Sequence, residues 1–298
     1  MVTHRGCTSI SHLCHNVMKD SFTFFLRRSI YRFISLIEIL GRRFGAFREP
    51  RMILLCYHSI SDDAWRFSVS EEMFKRQVLW LKNNGYVFLT LQSVYDIVKG
   101  QLAMPQKAVA LMFDDGYRDI MTIKDWLKRE DIPASVFVLS DPRNAAQSEV
   151  CQGKLFLTKE DIGELMRLGW EIGNHSATHA DFSKLTDDDI IREIHDAKQS
   201  LDTMLGIDTR WFAYPKGYYS PKVVDAVREA GYSLAFTMDD NSIDTSVDTM
   251  LIPRIGVDNS HTMSDFRGMI SPAAVTFRKC VKALIPQGII NRLLGISK

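Results

Sequence analysis

From residue 52 onward the chain alternates short apolar runs with longer amphipathic stretches. The alternation of buried strands with helices predicts a sheet of mostly parallel strands. Six or seven such units over about 215 residues predict an irregular (β/α) barrel of about seven parallel strands. The predicted strands are 52–57, 108–113, 134–139, 170–173, 211–213 and 234–237. The predicted helices are 71–83, 91–99, 119–130, 159–168, 187–205 and 221–230.

Helix-start signals support these helices. Ser70 stands directly before the first one, where a hydroxyl can accept a backbone N–H. Thr158 with Asp161, and Thr186 with Asp189, show the spacing of a capping box. The pattern therefore predicts where three of the helices begin.

Charge is distributed unevenly along the chain. Residues 1–51 carry nine Lys or Arg against three Asp or Glu, and residues 267–298 carry six basic residues and no acidic one. Residues 52–266 hold 22 basic and 33 acidic residues, so the net charge of the whole chain is only +1. This balance argues against a nucleic-acid-binding protein. The basic ends favour an anionic membrane surface as a partner.

We therefore predict a basic amphipathic extension at 1–50, a main domain at 51–265 and a basic helical extension at 266–298. Arginines interrupt the apolar stretch at 23–40, so it does not suit a membrane span. It fits a helix lying on a membrane surface, a helix packed on the main domain, or an Arg-rich transit peptide.

Cysteine usage and the start of the chain bear on the compartment. The five cysteines are odd in number and widely spaced, and no Cys-x-x-Cys occurs. The first twenty residues lack the apolar stretch of a secretory signal. These features predict a cytoplasmic protein that lies peripherally on the inner face of the membrane.

Polar residues follow two of the predicted strands. Asp114 and Asp115 come directly after strand 108–113, and His175 and His179 follow a later strand. An Asp-Asp-Gly sequence alone is also ordinary turn chemistry. In a barrel of parallel strands, however, these strand ends meet at one face. Two imidazoles and a carboxylate suit a divalent metal ion.

These motifs resemble those of the polysaccharide deacetylase family, carbohydrate esterase family four. Its first motif, Phe-Asp-Asp-Gly, stands here at 113–116, and its second, His-(Ser/Thr)-x-x-His, stands at 175–179. Gly-Asn at 173–174 also matches. The resemblance covers roughly 51–258 and is strongest over 109–217. Motif order, spacing and strand context agree, which makes the resemblance specific.

The resemblance implies a metal-dependent hydrolase that removes N-acetyl groups from amino-sugar residues. Its substrate would be an acetylated glycan or a lipid-linked saccharide. Asp115, His175 and His179 would hold a divalent ion, preferably zinc, and Asp114 would act as the catalytic base.

The proton donor departs from the common family pattern. The C-terminal part of the chain has no Leu-x-His motif. A permuted subgroup, which includes the poly-N-acetylglucosamine deacetylases, supplies this group from the first strand. The resemblance therefore points to His58, which follows strand 52–57 and is alternatively a plain hydrogen-bonding residue. His261 is the second candidate.

The third motif also differs. The family commonly has Arg-Pro-Pro-Tyr-Gly, whereas residues 213–217 read Ala-Tyr-Pro-Lys-Gly. Arg254 is expected to replace the missing arginine by pairing with Asp114, and is alternatively a surface charge. A backbone N–H near Tyr214 is expected to stabilise the reaction intermediate. The expected substrate-binding residues are Trp211, Tyr214, Pro215 and Gly217.

Two other functions remain open on the sequence. The same metal site would serve an O-deacetylase or a hydrolase of small amides. The departures in the third motif would also suit a catalytically inactive saccharide-binding protein.

Overall fold

A computed structural model describes residues 52–145, 150, 153–240, 243, 247–271 and 273–274. The chain divides into two compact units, and nearly all the described residues belong to the one that ends at Met263. The fold below is that of this larger unit.

Short strands alternate with helices along the described chain. The strands are β1 (Met52–Tyr57), β2 (Ser59–Ile60), β3 (Ser68–Val69), β4 (Val87–Phe88), β5 (Ala108–Phe113), β6 (Ser135–Val138), β7 (Glu171–Asn174), β8 (Trp211–Ala213), β9 (Leu234–Phe236) and β10 (Ile255–Gly256). The helices are α1 (Glu71–Asn83), α2 (Leu91–Val98), α3 (Lys124–Arg129), α4 (Lys159–Arg167), α5 (Asp187–Ile191), α6 (Ala197–Leu205), α7 (Pro221–Glu229) and α8 (Met263–Met269).

The main sheet is parallel and runs in the order β10-β1-β5-β6-β7-β8-β9, with β4 also paired to β5. The segment that leads into β10 closes it. Ile252 pairs with Phe236 of β9, and β10 then pairs with β1. The sheet is therefore a nearly closed barrel, as the sequence predicted.

Alternation along the strands fills the barrel. Met52 and Leu54 of β1 join Ala108, Ala110 and Met112 of β5 in one buried apolar cluster. Every second side chain of a strand points to the same face. The next positions on the inward face are therefore Cys56 of β1 and Asp114, directly after β5, which carry a thiol and a carboxylate. The apolar core therefore ends where the polar site begins.

The sequence placed most elements correctly. The strands at 52–57, 108–113 and 211–213 have the predicted bounds. Ser70 accepts a hydrogen bond from the backbone N–H of Met73, and both predicted capping boxes are present.

One predicted helix is only partly α-helical. The stretch 119–130 is a three-ten helix over Arg118–Ile123 that continues into the six-residue α3. Ile120 and Ile123 are both buried, three residues apart, which suits a turn of three residues. The short strands β2, β3, β4 and β10 were not predicted.

The predicted extension at 1–50 and most of that at 266–298 lie outside the described residues. Among the helices that are described, none combines the length and the apolar character needed to cross a bilayer. The membrane-surface interpretation of both ends stays a prediction.

Candidate active site

Asp114 follows β5 and lies inside the barrel with only 3% of its surface exposed. The guanidinium of Arg254 donates from Nη1 to Oδ1 and from Nη2 to Oδ2, both at 2.7 Å. The thiol of Cys56 donates to Oδ2 at 3.2 Å. Arg254 itself is fully buried and contacts the ring faces of Phe137 and Phe236. The carboxylate is thus fixed from two sides.

Burial alone would raise the pKa of Asp114. The charge of Arg254, followed by that of His175, outweighs burial and holds the pKa well below its ordinary value. The carboxylate is therefore ionised at neutral pH. The predicted pairing of Arg254 with Asp114 is thus present in the structure.

Asp115 lies in a different environment. Its Oδ1 faces Nε2 of His175 at 3.3 Å and Nε2 of His179 at 3.4 Å. These three ligand atoms lie within 4.8 Å of one another, and all three residues are buried. On a tetrahedral ion with bonds of about 2.0–2.1 Å, two ligand atoms lie roughly 3.3–3.4 Å apart. The two measured distances from Asp115 therefore suit joint binding of a metal ion by the three residues.

The hydrogen bonding of His175 supports this fit. Its Nδ1 lies 2.8 Å from the carbonyl oxygen of Ala213. A carbonyl only accepts, so Nδ1 carries the proton and Nε2 is directed at Asp115. Oδ1 of Asp115 is buried, and within the described part of the chain it accepts no hydrogen bond. The lone pairs of His175 Nε2 and Asp115 Oδ1 therefore face and repel one another, so a proton or a metal cation belongs between these two atoms.

Burial and the neighbouring charges shift the pKa values of the three residues in different directions. Burial lowers the pKa of His175, but Asp114 and Asp115 raise it above its ordinary value. For His179, burial lowers the pKa to about 4. Burial raises the pKa of Asp115, while the approach of His175 and the charge of His179 lower it to about 2.

The loop after β7 places the two histidines. Oδ1 of Asn174 accepts the N–H of Ser176 at 2.9 Å, and Oγ of Ser176 accepts the N–H of His179 at 2.9 Å. Ser176 and His179 have positive φ angles of 71° and 60°. Asp115 also has a positive φ, of 67°. Such conformations are costly for residues other than glycine and cluster at functional sites.

Glu193 holds the same loop, a role that no pattern in the sequence indicated. Its Oε2 accepts the N–H groups of Ala177 and Thr178 at 3.0 and 2.9 Å, and its Oε1 accepts the Thr178 hydroxyl at 2.6 Å. Glu193 lies in a π-helical turn, Arg192–Asp196, between α5 and α6. Single π turns often occur near functional sites. The 3.6-residue pattern that predicted one helix over 187–205 does not show such a turn.

His58 follows β1 on the strand next to Asp114. The register pairs Tyr57 with Phe113, so His58 and Asp114 occupy the next positions on the two strands. A ring nitrogen of His58 lies within 4.8 Å of Asp114 and Cys56. Its Nδ1 is buried and has no hydrogen-bond partner among the described residues. Arg254 already neutralises Asp114, so these three residues do not need a second cation.

His261, the second candidate for the proton donor, belongs to another pair. Its Nδ1 accepts the backbone N–H of Asp258 at 3.0 Å and lies 3.1 Å from Oδ1 of the same residue. The structure thus ties His261 to its own loop.

The four expected substrate-binding residues do not come together as a surface. Trp211 starts β8, is 6% exposed and packs in the apolar cluster of the barrel. Tyr214 is fully buried in a second cluster, and its hydroxyl donates to the carbonyl of Met250 at 3.1 Å. The backbone N–H of Tyr214 donates to Phe236, so it is engaged in the sheet. The expected N–H near Tyr214 is therefore not that of Tyr214 itself, and its role stays a prediction.

Pro215 and Gly217 shape the turn after β8. Pro215 is buried. Gly217 has φ +71°, and a Cβ there would lie 2.6 Å from Cβ of Met238. A side chain is excluded at this position for steric and conformational reasons. Both residues determine the course of the chain in this turn, and neither forms a surface on which a sugar ring could stack.

This geometry defines a barrel in which an arginine-paired carboxylate lies beside a group of one carboxylate and two imidazoles that could hold a metal ion. Residues 101–235 match the family model described as polysaccharide deacetylase, so this part of the chain is similar to proteins of that family. The matched range contains both aspartates and both histidines. His58 and Arg254 lie outside it.

Two relatives carry names that agree with this match. The chain is 26% identical over 224 residues to YxkH of Bacillus subtilis (strain 168), which covers 75% of this chain and 77% of the relative. It is 25% identical over 213 residues to the poly-beta-1,6-N-acetyl-D-glucosamine N-deacetylase of Staphylococcus aureus (strain MRSA252), covering 67% and 71%.

Two structural neighbours show the same fold. The Streptococcus pyogenes deacetylase PplD in complex with acetate has a TM-score of 0.65 at 24% identity, covering 74% of this chain and 98% of that one. IcaB from Ammonifex degensii has a TM-score of 0.65 at 24% identity, covering 76% and 98%.

Proposed function

We propose that this protein removes N-acetyl groups from amino-sugar residues of a glycan, with a divalent metal ion, preferably zinc. The convergence of Asp115, His175 and His179 beside the Arg254-paired Asp114 carries the proposal. The relative named as a poly-N-acetylglucosamine N-deacetylase supports the substrate class.

Asp115, His175 and His179 would hold the ion through one oxygen and two Nε2 atoms. When bound, the ion supplies Lewis acidity toward the acetyl carbonyl and the attacking water. The Nδ1–H of His175 to Ala213 keeps that imidazole oriented.

Asp114 would take the proton of the attacking water. Arg254 and Cys56 hold the carboxylate in place and keep it ionised, so it is ready to accept a proton. His58 would donate a proton to the departing sugar amine. Its position beside Asp114 allows the two groups to act on one substrate.

The inactive saccharide-binding alternative was based on two departures in the third motif, the missing arginine and Lys216 in place of a tyrosine. Arg254, which directly precedes β10, forms an ion pair with Asp114 and so answers the first departure but not the second. O-deacetylation and small-amide hydrolysis would use the same groups, so a substrate panel separates them.

The test measures acetate release from β-1,4- and β-1,6-linked N-acetylglucosamine oligomers. We expect activity that is lost with a chelator, returns with zinc and is absent in Asp114→Asn. Release from O-acetylated sugars or small amides alone would replace the proposed reaction. Activity that survives complete metal removal would contradict the proposed mechanism.

The lipid-linked substrate and the membrane surface depend on the basic ends of the chain. We propose that the full-length protein associates with anionic vesicles through these ends. In a flotation assay it should rise with anionic vesicles and stay behind with neutral ones. Absence of flotation with both would rule out this part of the proposal.

A further inference from the structure

A group of aromatic side chains lies beside His58. The ring centroid of Phe67 is 4.8 Å from that of His58 and 5.3 Å from that of Trp65. Trp65 contacts Tyr117 edge-on at 5.2 Å, and Phe156 stacks on Tyr117 at 5.4 Å. We call Trp65, Phe67 and Phe156 the aromatic wall. All three are partly exposed, whereas Tyr117 between them is buried.

The loop that carries Trp65 and Phe67 is held by the loop after β10. The backbone N–H of Asn259 donates to the carbonyl of Arg66 at 3.0 Å, and its side-chain amide donates to the carbonyl of Trp65 at 2.9 Å. Nε of Arg66 donates to Asp258 at 3.1 Å. The buried pair of Asp258 and His261 thus anchors this loop.

Lys154 holds the wall from the other side. Its ammonium group donates to Asp63 at 2.6 Å and to Asp119 at 2.8 Å, and lies 5.8 Å from the ring centroid of Trp65. Asp63 in turn accepts the backbone N–H of Trp65 at 3.0 Å. Three segments of the chain therefore fix Trp65 before any ligand binds, which lowers the entropic cost of binding.

Partly exposed aromatic rings held in this way suit a ligand with an apolar face. A pyranose ring presents such a face through its C–H groups, and aromatic side chains with nearby polar groups commonly line sites for such ligands. His58 contacts Phe67 on one side and lies near Asp114 on the other. A sugar unit on the wall would therefore lie next to the unit at Asp114.

We propose that Trp65 and Phe67 form a sugar-binding subsite for the N-acetylhexosamine unit that neighbours the one being deacetylated. This inference rests on the proposed function and names residues that bind its substrate. Phe156 extends the same surface. The subsite replaces the role that the sequence assigned to Trp211.

The first test compares steady-state kinetics of Trp65→Ala and Phe67→Ala on N-acetylglucosamine pentamers of both linkages. Each variant should raise KM about 10-fold, with kcat changed less than about 2-fold, because the wall binds and does not react. Trp65→Phe should recover most of the affinity. A fall in kcat at unchanged KM, or no change in either, would overturn the proposal.

A binding measurement keeps the inference separate from catalysis. Isothermal titration of the pentamers into Asp114→Asn protein needs no turnover, so it works even if no acetate is ever released. Adding Trp65→Ala should weaken binding about 10-fold. Equal affinity with and without Trp65, or no pentamer binding by the Asp114→Asn protein itself, would refute the subsite.

Trp80→Ala is the matched control. Trp80 is a partly exposed tryptophan near the end of α1, and its ring lies 6.4 Å from that of Tyr86, just before β4. β4 pairs with the start of β5, whereas Asp114 follows the end of β5. Trp80→Ala should leave pentamer binding unchanged. Equal weakening in both variants would show a general structural effect and contradict the proposal.

Discussion

Asp114 and Asp115 are neighbours in the sequence and are each only 3% exposed, yet their surroundings differ in kind. Asp114 has its counter-charge inside the protein, in the two hydrogen bonds from Arg254. Asp115 faces two imidazole nitrogens that approach without forming good hydrogen bonds. One aspartate is a completed ion pair, and the other belongs to a site that calls for a cation.

The difference teaches how two identical side chains obtain different roles. A buried carboxylate needs a compensating charge, because an isolated one costs several kcal/mol. Arg254 meets this need for Asp114 and leaves it oriented and ionised. For Asp115 the compensation is a proton on His175 or a metal ion. Three variants alter one side of this comparison at a time.

The largest effect is expected for Arg254→Met, which removes the counter-charge of Asp114. A buried carboxylate without its partner should lower the free energy of unfolding by about 3–5 kcal/mol. Urea unfolding at neutral pH measures this change. Combining it with Asp114→Asn should recover at least half of the loss, because the unpaired charge is then gone. Wild-type stability of Arg254→Met, or no recovery in the double variant, would contradict the ion-pair account.

A smaller effect is expected on the side of Asp115. The loop of His179 donates to both side-chain oxygens of Glu193. In Glu193→Gln only one of these acceptor oxygens remains, and the new amide N–H faces a donor of the loop. Zinc affinity should fall about 10-fold, as is usual when a group that orients a ligand is lost. A competition titration with a zinc-binding dye measures it. Glu72→Gln, on the exposed face of α1, is the control, and an equal change there would refute the role of Glu193.

The smallest effect is expected for Cys56→Ala, which removes one hydrogen bond from Asp114. Loss of about 1 kcal/mol of orientation should lower kcat about 5-fold, while KM and zinc affinity stay unchanged. Cys56→Ser should retain most of the rate, since a hydroxyl also donates. A rate equal to the wild type in Cys56→Ala would show that Arg254 alone positions the carboxylate.

The sequence predicts the frame of this site well. Short apolar runs between amphipathic stretches located β1, β5 and β8, and parallel strands bring their carboxyl ends together at one face of the barrel. The motif spacing then indicated Asp114, Asp115, His175 and His179 as one group. Local patterns were sufficient here because Asp114 and His175 directly follow strands, and Asp115 and His179 come shortly after them in the same loops.

Interactions between distant segments were harder to predict. The pairing of Arg254 with Asp114 spans 140 residues and was inferred only from the family resemblance. The roles of Glu193 and Cys56 depend on a π turn and on the register of β1 with β5, which composition does not reveal. Trp211 and Tyr214 were expected at the substrate because of their residue type, whereas their burial is decided by tertiary packing.

Equilibrium zinc binding by wild type, Asp114→Asn and Asp115→Asn, together with acetate release, tests the division of roles between the two aspartates most directly. We predict that Asp114→Asn binds zinc within a few-fold of the wild type but releases no acetate. Asp115→Asn should lose more than about 100-fold in zinc affinity. Equal loss of zinc in both variants, or wild-type zinc binding by Asp115→Asn, would contradict the account.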